Sequence, residues 1–186
     1  MPQFRIIPTA EWGAAPAREE ISGAGRPHEI IFHHTAGHHQ DLDHKPTESF
    51  AEAKGYARAI QQSHFSRGFI DTGQNFLVTR SGHILEGRHG SLVAINSGRM
   101  VVSAHCVGHN EQPGIEHEHI GDEKMTRKQR KASVWLHAHI CRKTGINPSA
   151  IHGHGEFNPT ECPSRGFQRG LAGFKNDVKQ RLANPD

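Results

Sequence analysis

The segment HGHGEFNPTECPSRG, residues 152–166, places histidines, carboxylates and a cysteine close together. His154 stands eight residues before Cys162, and a thiolate and an imidazole that close can share one metal ion. A zinc ion in a hydrolytic site takes three protein ligands and keeps a fourth position for water. The run IIFHHTAG offers the third ligand as either His33 or His34. Side chains alternate across a strand, so only one of these two can join the metal.

Each of these residues also has a purely structural interpretation. The chain holds 17 histidines, so a single histidine carries little weight, and a lone cysteine is most often a small buried hydrophobe. The cysteines, at 106, 141 and 162, are odd in number and widely spaced, which argues against a disulfide framework. A closed structural zinc site would need four protein ligands, and His152 is the candidate for the fourth because it would share a strand face with His154.

The composition indicates a soluble globular protein that forms one domain. The chain has 186 residues, 34% hydrophobic residues and a mean hydropathy of -0.67. Its formal charge of +3 favours anionic partners such as cell-wall polymers, but this charge is too small to indicate nucleic-acid binding. It has no run of 18 apolar residues to insert into a membrane, and residues 1–16 lack a signal-peptide core. We expect a monomer that is made in the cytoplasm, or one that is secreted if a signal segment has been removed.

Local patterns in the first half of the chain predict four elements. Residues 28–37 are typical of a buried strand, and residues 47–63 have helical spacing with Thr47 as N-cap. Residues 74–88 consist of two β-rich runs around Ser-Gly, which predicts a hairpin. Residues 89–112 are rich in Gly, Ser, Asn and His and predict a long surface loop.

The second half predicts a strand and two helices. Residues 114–120 alternate, which places Ile115, His117 and His119 on one face and Glu116 and Glu118 on the other. A capping box of Thr126 and Gln129 opens a helix that Gly145 ends, and residues 167–182 form an amphipathic terminal helix. Strands interleaved with helices predict an α/β fold, a sheet with helices packed on it.

The sequence resembles the type 2 N-acetylmuramoyl-L-alanine amidases, a family that includes phage lysozyme-type amidases and peptidoglycan recognition proteins. The resemblance covers roughly residues 10 to 170 and rests on these segments, which stand in the family order: AEWGA, IIFHHTAG, RGFIDTGQNFLVTRSGHILEGR, AHCVGHN, GIEHE and GHGEFNPTECP. It implies a single catalytic domain over 1–186, with a core over about 10–183. It also implies a central mixed sheet flanked by helices, with one zinc ion in a surface groove.

The resemblance also assigns the metal ligands. The first histidine of HHTA is His33, the histidine of GHGEF is His154, and the third ligand is Cys162. His152 stays outside the set. The implied reaction is hydrolysis of the amide between N-acetylmuramic acid and the first L-alanine of peptidoglycan. In having a thiolate as the third ligand, the sequence resembles the branch of the family that acts on intact cell wall. A phage-type endolysin is therefore the expected setting. The alternative is a non-catalytic recognition module that holds muropeptides in the same groove.

The sequence departs from the family at a tyrosine that many members carry beside the metal. The corresponding position is Gln74, an amide that cannot transfer protons, and the only tyrosine of the chain is Tyr56. Another branch of the family uses a glutamate in a GIE strand as general base, and Glu116 matches it. The alternative is that Glu116 and Glu118 simply form the solvated face of their strand.

The resemblance further implies groups that contact the substrate. Thr160 falls where relatives place a lysine or threonine beside the metal, and its hydroxyl could hydrogen-bond an oxyanion. Its alternative role is to form the turn after Pro159. The residues expected to contact substrate are His34, Gln74, His105 and Asn110.

Overall fold

The computed structural model describes residues 4–38 and 45–184. Eight strands and five α-helices follow one another along these residues, and short 3-10 turns at Pro148–Ala150 and His154–Glu156 flank the last strand. In chain order the elements are β1 Ile6–Ile7, α1 Thr9–Trp12, β2 Gly23–Ala24, β3 Ile30–His34, α2 Phe50–Ser66, β4 Phe76–Val78, β5 Ile84–Glu86, α3 Ser91–Asn96, β6 Met100–Val101, β7 Gly114–His117, α4 Arg127–Thr144, β8 Ile151–Gly153 and α5 Arg165–Ala183.

Six strands form a central sheet in the order β1-β5-β4-β7-β3-β8. Strands β4 and β5 pair antiparallel as the predicted hairpin, and the other neighbours pair parallel. A separate antiparallel pair joins β2 to β6. The predicted single-domain fold with a mixed sheet and flanking helices is therefore confirmed.

The sheet is covered on both faces. Successive side chains of a strand point to opposite faces of the sheet, so the strands contribute to two apolar clusters. One cluster joins the sheet to α4 and α5 and includes Ile30, Phe32, Phe76, Ile115, Leu136 and Phe174. The other joins it to α1 and α2 and includes Trp12, Tyr56, Ala57, Leu77 and Leu85. Burial on both faces explains why β3 has a continuous apolar run before its histidines.

The predicted boundaries of the last two helices agree well with the structure. Thr126 is the N-cap of α4 and accepts a hydrogen bond from the Gln129 backbone N–H, and Gly145 ends the helix with a φ of 81°. The Gln129 side chain donates to the carbonyls of Val78 and Glu118 instead of closing a reciprocal capping box. Helix α5 buries Leu171, Phe174 and Val178 as the amphipathic pattern predicts. None of the helices in the described residues is long and apolar enough to cross a membrane.

Two predictions for the middle of the chain are wrong. Helix α2 begins at Phe50, and its N-cap is Ser49, whose capping box with Glu52 replaces the predicted Thr47 cap. Residues 89–112 are not one loop, because α3 and β6 lie within them. Short elements of six and two residues give too little periodicity to be detected among loop-forming residues.

The strand predicted over 114–120 is shorter in the structure, where β7 spans Gly114–His117. Ile115 and His117 are fully buried on the α4 side, and Glu116 lies on the opposite face with partial exposure. Glu118 is not solvated as the alternative supposed: it is fully buried and accepts hydrogen bonds from the backbones of Thr47 and Arg80. Burial without strain is possible because these donors satisfy the carboxylate.

Candidate metal centre and its surroundings

The register of the sheet brings His33 and His154 together. Strands β3 and β8 are parallel, and Phe32 and Gly153 are the last paired residues. His33 directly follows Phe32 and His154 directly follows Gly153, and the ring centroids of the two histidines lie 4.5 Å apart. Cys162 lies in the loop before α5. One ligand atom from each of His33, His154 and Cys162 lies within 4.8 Å of the others, so the three can hold a metal ion.

The strand decides between the adjacent histidines as expected. His33 is buried on the metal side of β3, and its Nδ1 lies 3.6 Å from the Cys162 Sγ. The His34 ring lies beside His119, with centroids 6.2 Å apart, and its backbone N–H donates to the same sulfur over 3.4 Å. His34 therefore orients the thiol through its backbone, and its contact with substrate stays a prediction.

A tight turn carries Cys162 back to His154. The Gly155 N–H donates to the Cys162 carbonyl over 2.7 Å. A Cβ on Gly155 would lie 3.0 Å from the carbonyl oxygens of both Thr160 and Cys162, so the turn closes this tightly only around glycine. The exposed Thr160 accepts the Cys162 N–H at its Oγ1 over 3.2 Å. Thr160 thus has the turn-forming contact, and its hydroxyl hydrogen stays available to donate.

The protonation states of these groups suit a cation. Burial lowers the pKa of His33 well below 6.5, and the neighbouring His105 and His154 lower it further. Burial also lowers the pKa of His154. Both imidazoles are therefore neutral, which is the form that ligates. Burial raises the pKa of Cys162 to about 12, so a thiolate at this position requires the charge of a metal ion.

Glu116 flanks His33 on the side opposite His154. Strands β3 and β7 are parallel, and Glu116 is the register partner of His33, so both side chains leave the same face of the sheet. Burial raises the pKa of Glu116 to about 7, and the charge of Arg67 acts in the opposite direction. The side chain nevertheless keeps partial exposure. A carboxyl group with this pKa can exchange a proton near neutral pH.

The structure places Gln74 just before a strand and not within it. Strand β4 begins at Phe76, two residues later than the resemblance implies. Gln74 is 2% exposed, and its Oε1 has no hydrogen-bond partner among the described residues. Tyr56 lies on α2 and donates its hydroxyl to the Gly37 carbonyl over 2.6 Å. Burial raises the pKa of Tyr56, which makes its phenol a poor proton donor or acceptor.

Two predicted substrate contacts are engaged within the protein. His105 lies between His33 and the Gln112 carbonyl, with Nδ1 2.9 Å from His33 Nε2 and Nε2 2.9 Å from the Gln112 oxygen. The Asn110 Oδ1 accepts the backbone N–H groups of His105 and Cys106. The substrate roles of His105 and Asn110 stay predictions, whereas their contacts within the protein are structural.

His152 lies outside the metal group, as the resemblance implies. Strand β8 ends at Gly153 and His154 begins a 3-10 turn, so the expectation that the two histidines share a strand face is wrong. The His152 Nδ1 lies 2.9 Å from the Glu156 Oε2. Within residues 4–38 and 45–184, no fourth His, Cys, Asp or Glu joins the group. Among the described residues, the arrangement is thus a group of three possible metal ligands.

Asn158 is the residue of this site that the sequence did not single out. Its Oδ1 lies 3.1 Å from the His154 Nε2 and also accepts the Val107 backbone N–H over 3.1 Å. It stands within the quoted HGHGEFNPTECPSRG segment, four residues after His154. Its contact with a loop some fifty residues away is a tertiary feature that spacing does not encode.

Comparisons with known proteins agree with this geometry. Residues 23–165 match the Amidase_2 family, described as N-acetylmuramoyl-L-alanine amidase. The chain is similar to peptidoglycan-recognition protein SC2 of Drosophila melanogaster, with 27% identity over 176 residues, 92% of this chain and 86% of the relative. It is also similar to the N-acetylmuramoyl-L-alanine amidase of Sus scrofa, with 28% identity over 96% of this chain and 29% of that protein.

A solved structure shows the same architecture. The chain superposes on peptidoglycan recognition protein-LE in complex with tracheal cytotoxin, a monomeric diaminopimelic acid-type peptidoglycan. The TM-score is 0.75 with 26% identity, covering 90% of this chain and 92% of that one. The comparisons thus include both amidases and recognition proteins.

Proposed function

Because the chain belongs to the N-acetylmuramoyl-L-alanine amidase family, which matches residues 23–165, we propose that it is a zinc-dependent hydrolase of peptidoglycan. The bond cleaved is the amide between the lactyl group of N-acetylmuramic acid and L-alanine. One observation carries the proposal: His33, His154 and Cys162 form an open three-ligand group, and Glu116 stands in register beside His33. A binding protein needs no such combination of ligands and carboxylate.

The donor set fits zinc in chemistry and dimensions. Two imidazole nitrogens and one thiolate form a borderline-soft site. Zinc bonds of about 2.1 Å to nitrogen and 2.3 Å to sulfur, at tetrahedral angles, separate the two donors by about 3.6 Å. The His33 Nδ1 and Cys162 Sγ lie 3.6 Å apart. The three ligand atoms all lie within 4.8 Å of one another, so these residues would hold the ion after small side-chain movements.

Glu116 supplies the proton transfers in this reaction. Bound zinc would polarise the scissile carbonyl and activate water for attack on it. Glu116 takes one proton from the attacking water and delivers it to the amide nitrogen as the C–N bond breaks. The products are a lactyl carboxylate and a stem peptide with a free L-alanine amine. The partial exposure of Glu116 lets the substrate reach it.

Thr160 supplies a hydrogen bond to the oxygen of the attacked carbonyl. Its Oγ1 already accepts the Cys162 N–H, which fixes the oxygen in place. The hydroxyl hydrogen can then point away from Cys162 toward developing negative charge. A donor held in advance costs no reorganisation when the charge appears, which is the requirement for an oxyanion hole.

The alternative function is a recognition module that binds muropeptides without cleaving them. The observation in its favour is Gln74, which stands where the resemblance leads us to expect a catalytic tyrosine. Peptidoglycan-recognition protein SC2 is among the relatives of the chain, so this class is represented. The two functions make opposite predictions for intact peptidoglycan, since only the enzyme releases peptides.

Digestion of purified sacculi, the natural substrate of an endolysin, tests the proposal. The expected products, identified by mass spectrometry, are stem peptides with a free L-alanine terminus. A chelator should stop their release, and added zinc should restore it. Sacculi that bind the protein but release no peptide would instead establish the recognition module.

A further inference from the structure

We propose that His105 and Asn158 are positioning residues that fix the hydrogen of each ligating imidazole on Nε2, so that both Nδ1 atoms face the metal. The inference rests on the proposed function, because it concerns the same zinc site. Both contacts are set by the backbone of one segment, residues 104–112, which we call the orienting loop. The segment contributes the Val107 N–H and the Gln112 carbonyl, and each of these groups has only one possible role in a hydrogen bond.

The first series of hydrogen bonds runs from His33 through His105 to the Gln112 carbonyl, which can only accept a hydrogen bond. His105 Nε2, 2.9 Å away, must therefore carry a hydrogen. A neutral imidazole has one hydrogen, so His105 Nδ1 is an acceptor. His33 Nε2, 2.9 Å from it, then donates. It follows that His33 Nδ1 keeps its lone pair, and this is the atom that lies 3.6 Å from the Cys162 sulfur.

The second chain of contacts ends on the Val107 N–H, which can only donate. The Asn158 atom that faces it must be the amide oxygen, which fixes the orientation of the amide. The Asn158 Nδ2 accordingly donates to the Phe157 carbonyl over 3.0 Å. His154 Nε2 lies 3.1 Å from the same oxygen and must carry the hydrogen. The His154 Nδ1 therefore keeps the lone pair.

The orienting loop is itself held in place. Asn110 accepts two backbone N–H groups at its Oδ1, and its backbone carbonyl accepts the Ser103 N–H and hydroxyl. The His105 ring lies directly over Gly114, where a Cβ would come within 2.3 Å of it. A ring confined on three sides cannot turn its Nδ1 away from His33. Partners of this kind contribute about 10–100-fold to metal affinity.

A pair of substitutions at His105 separates hydrogen bonding from packing. In His105→Asn, the amide oxygen takes the position of Nδ1 and can still accept from His33, so zinc affinity should stay close to wild type. In His105→Gln, the polar group takes the position of Nε2 and the acceptor is lost. We expect this variant to bind zinc about 10–100-fold more weakly in a chelator competition.

Asn158→Leu provides a second test if His105 variants fail to fold. It removes the acceptor of His154 at constant size, and zinc affinity should fall by about 10–100-fold. His152→Ala is the matched control, because this histidine precedes His154 by two residues yet bonds to Glu156. Thermal unfolding of the zinc-free variants checks that each one is folded.

Nuclear magnetic resonance of the zinc-free full chain measures the tautomers directly. Long-range nitrogen–proton correlations should show hydrogen on Nε2 of both His33 and His154. Hydrogen on Nδ1 of either ring, or unchanged zinc affinity in His105→Gln and Asn158→Leu, would overturn the inference and leave the proposed hydrolysis intact. Conversely, the expected tautomers and zinc affinities would support the inference even if the protein left sacculi uncut. Uncut sacculi would refute only the proposed hydrolysis.

Discussion

At the residue scale, the environment of Glu116 decides what its carboxylate can do. Burial raises the pKa of Glu116 to about 7. Glu118, two residues later, is fully buried and accepts hydrogen bonds from the backbone N–H groups of Thr47 and Arg80. Glu116 thus combines a raised pKa with partial exposure. In the proposed mechanism, glutamate therefore has a chemical role at position 116, whereas Glu118, just after β7, has a structural role.

Glu116→Gln should separate catalysis from metal binding. The amide is nearly isosteric, so zinc content and fold should be retained, while turnover on sacculi should fall roughly a hundredfold or more. Glu111→Gln is the control, because Glu111 is an exposed carboxylate on the segment that leads into β7. Equal turnover in Glu116→Gln and wild type would remove Glu116 from the mechanism.

The ligands should differ sharply from their neighbours in zinc content. Cys162→Ser and His154→Ala should lose most of the metal, since a hydroxyl or methyl group cannot replace a thiolate or an imidazole. His152→Ala should keep it, because His152 bonds to Glu156 outside the group. Elemental analysis of protein purified without added metal measures the difference. Loss of zinc from His152→Ala would instead indicate a fourth ligand.

The metal group could be predicted from the sequence because strand alternation and short spacing constrain it. The choice of His33 over His34 follows from resemblance and is consistent with the observed register. The contacts of His105 and Asn158 could not be predicted, because they end on backbone groups of a distant loop. The type and spacing of side chains can be read from the sequence, whereas only the fold shows which groups each side chain faces.

At the element scale, the start of α2 shows two caps in competition. Thr47 and Ser49 are both good N-cap residues, but only Ser49 has a glutamate three residues later, at Glu52, with the spacing of a capping box. The structure resolves the competition because buried Glu118 accepts the Thr47 N–H and hydroxyl, while Ser49 and Glu52 form the capping box. Thr47 therefore ties the approach to α2 to the end of β7. The predicted Thr47 cap is wrong because Thr47 has this tertiary partner and Ser49 has the capping box.

Strand β7 should be sensitive to a single methyl group at Gly114. In Gly114→Ala, the new Cβ would collide with the His105 ring, and overpacking of this kind costs about 1–3 kcal/mol of unfolding free energy. Zinc affinity should fall as well, because the ring moves away from His33. Denaturant unfolding and chelator competition measure the two effects.

Gly170→Ala is the matched control for that substitution. Gly170 lies in α5 with nothing within 4 Å of its Cβ position. Alanine is favoured over glycine in a helix, so this variant should gain up to about 1 kcal/mol and keep its zinc affinity. Gly114→Ala with wild-type stability and affinity would show that His105 can move without consequence.

At the scale of the whole molecule, the sheet carries its chemistry on one face and its histidine-rich core on the other. The α2 face presents His33 and Glu116, and the α4 face buries His117 against Ser133 and stacks it on Phe32. The fold class could be predicted because interleaved strands and helices specify it. The buried histidines could not, since polar residues are expected at the surface.

This buried histidine core makes the molecule sensitive to acid. His137 is fully buried, and burial lowers its pKa from 6.5 to about 4. Below pH 6.5 the unfolded chain takes up a proton that folded His137 refuses, so stability is full at neutral pH and is lost as the pH falls toward 4. The contribution of His137 between pH 7 and pH 5 is roughly 2 kcal/mol.

Denaturant unfolding of His137→Leu and wild type across this pH range tests the effect. The variant has no group to titrate, so its stability should rise relative to wild type by roughly 2 kcal/mol between pH 7 and pH 5. His28→Leu is the control, because it removes a histidine from the exposed surface, where burial cannot act. If the curves for His137→Leu and wild type ran parallel, His137 would have the same pKa in the folded and unfolded states, and burial would not lower it.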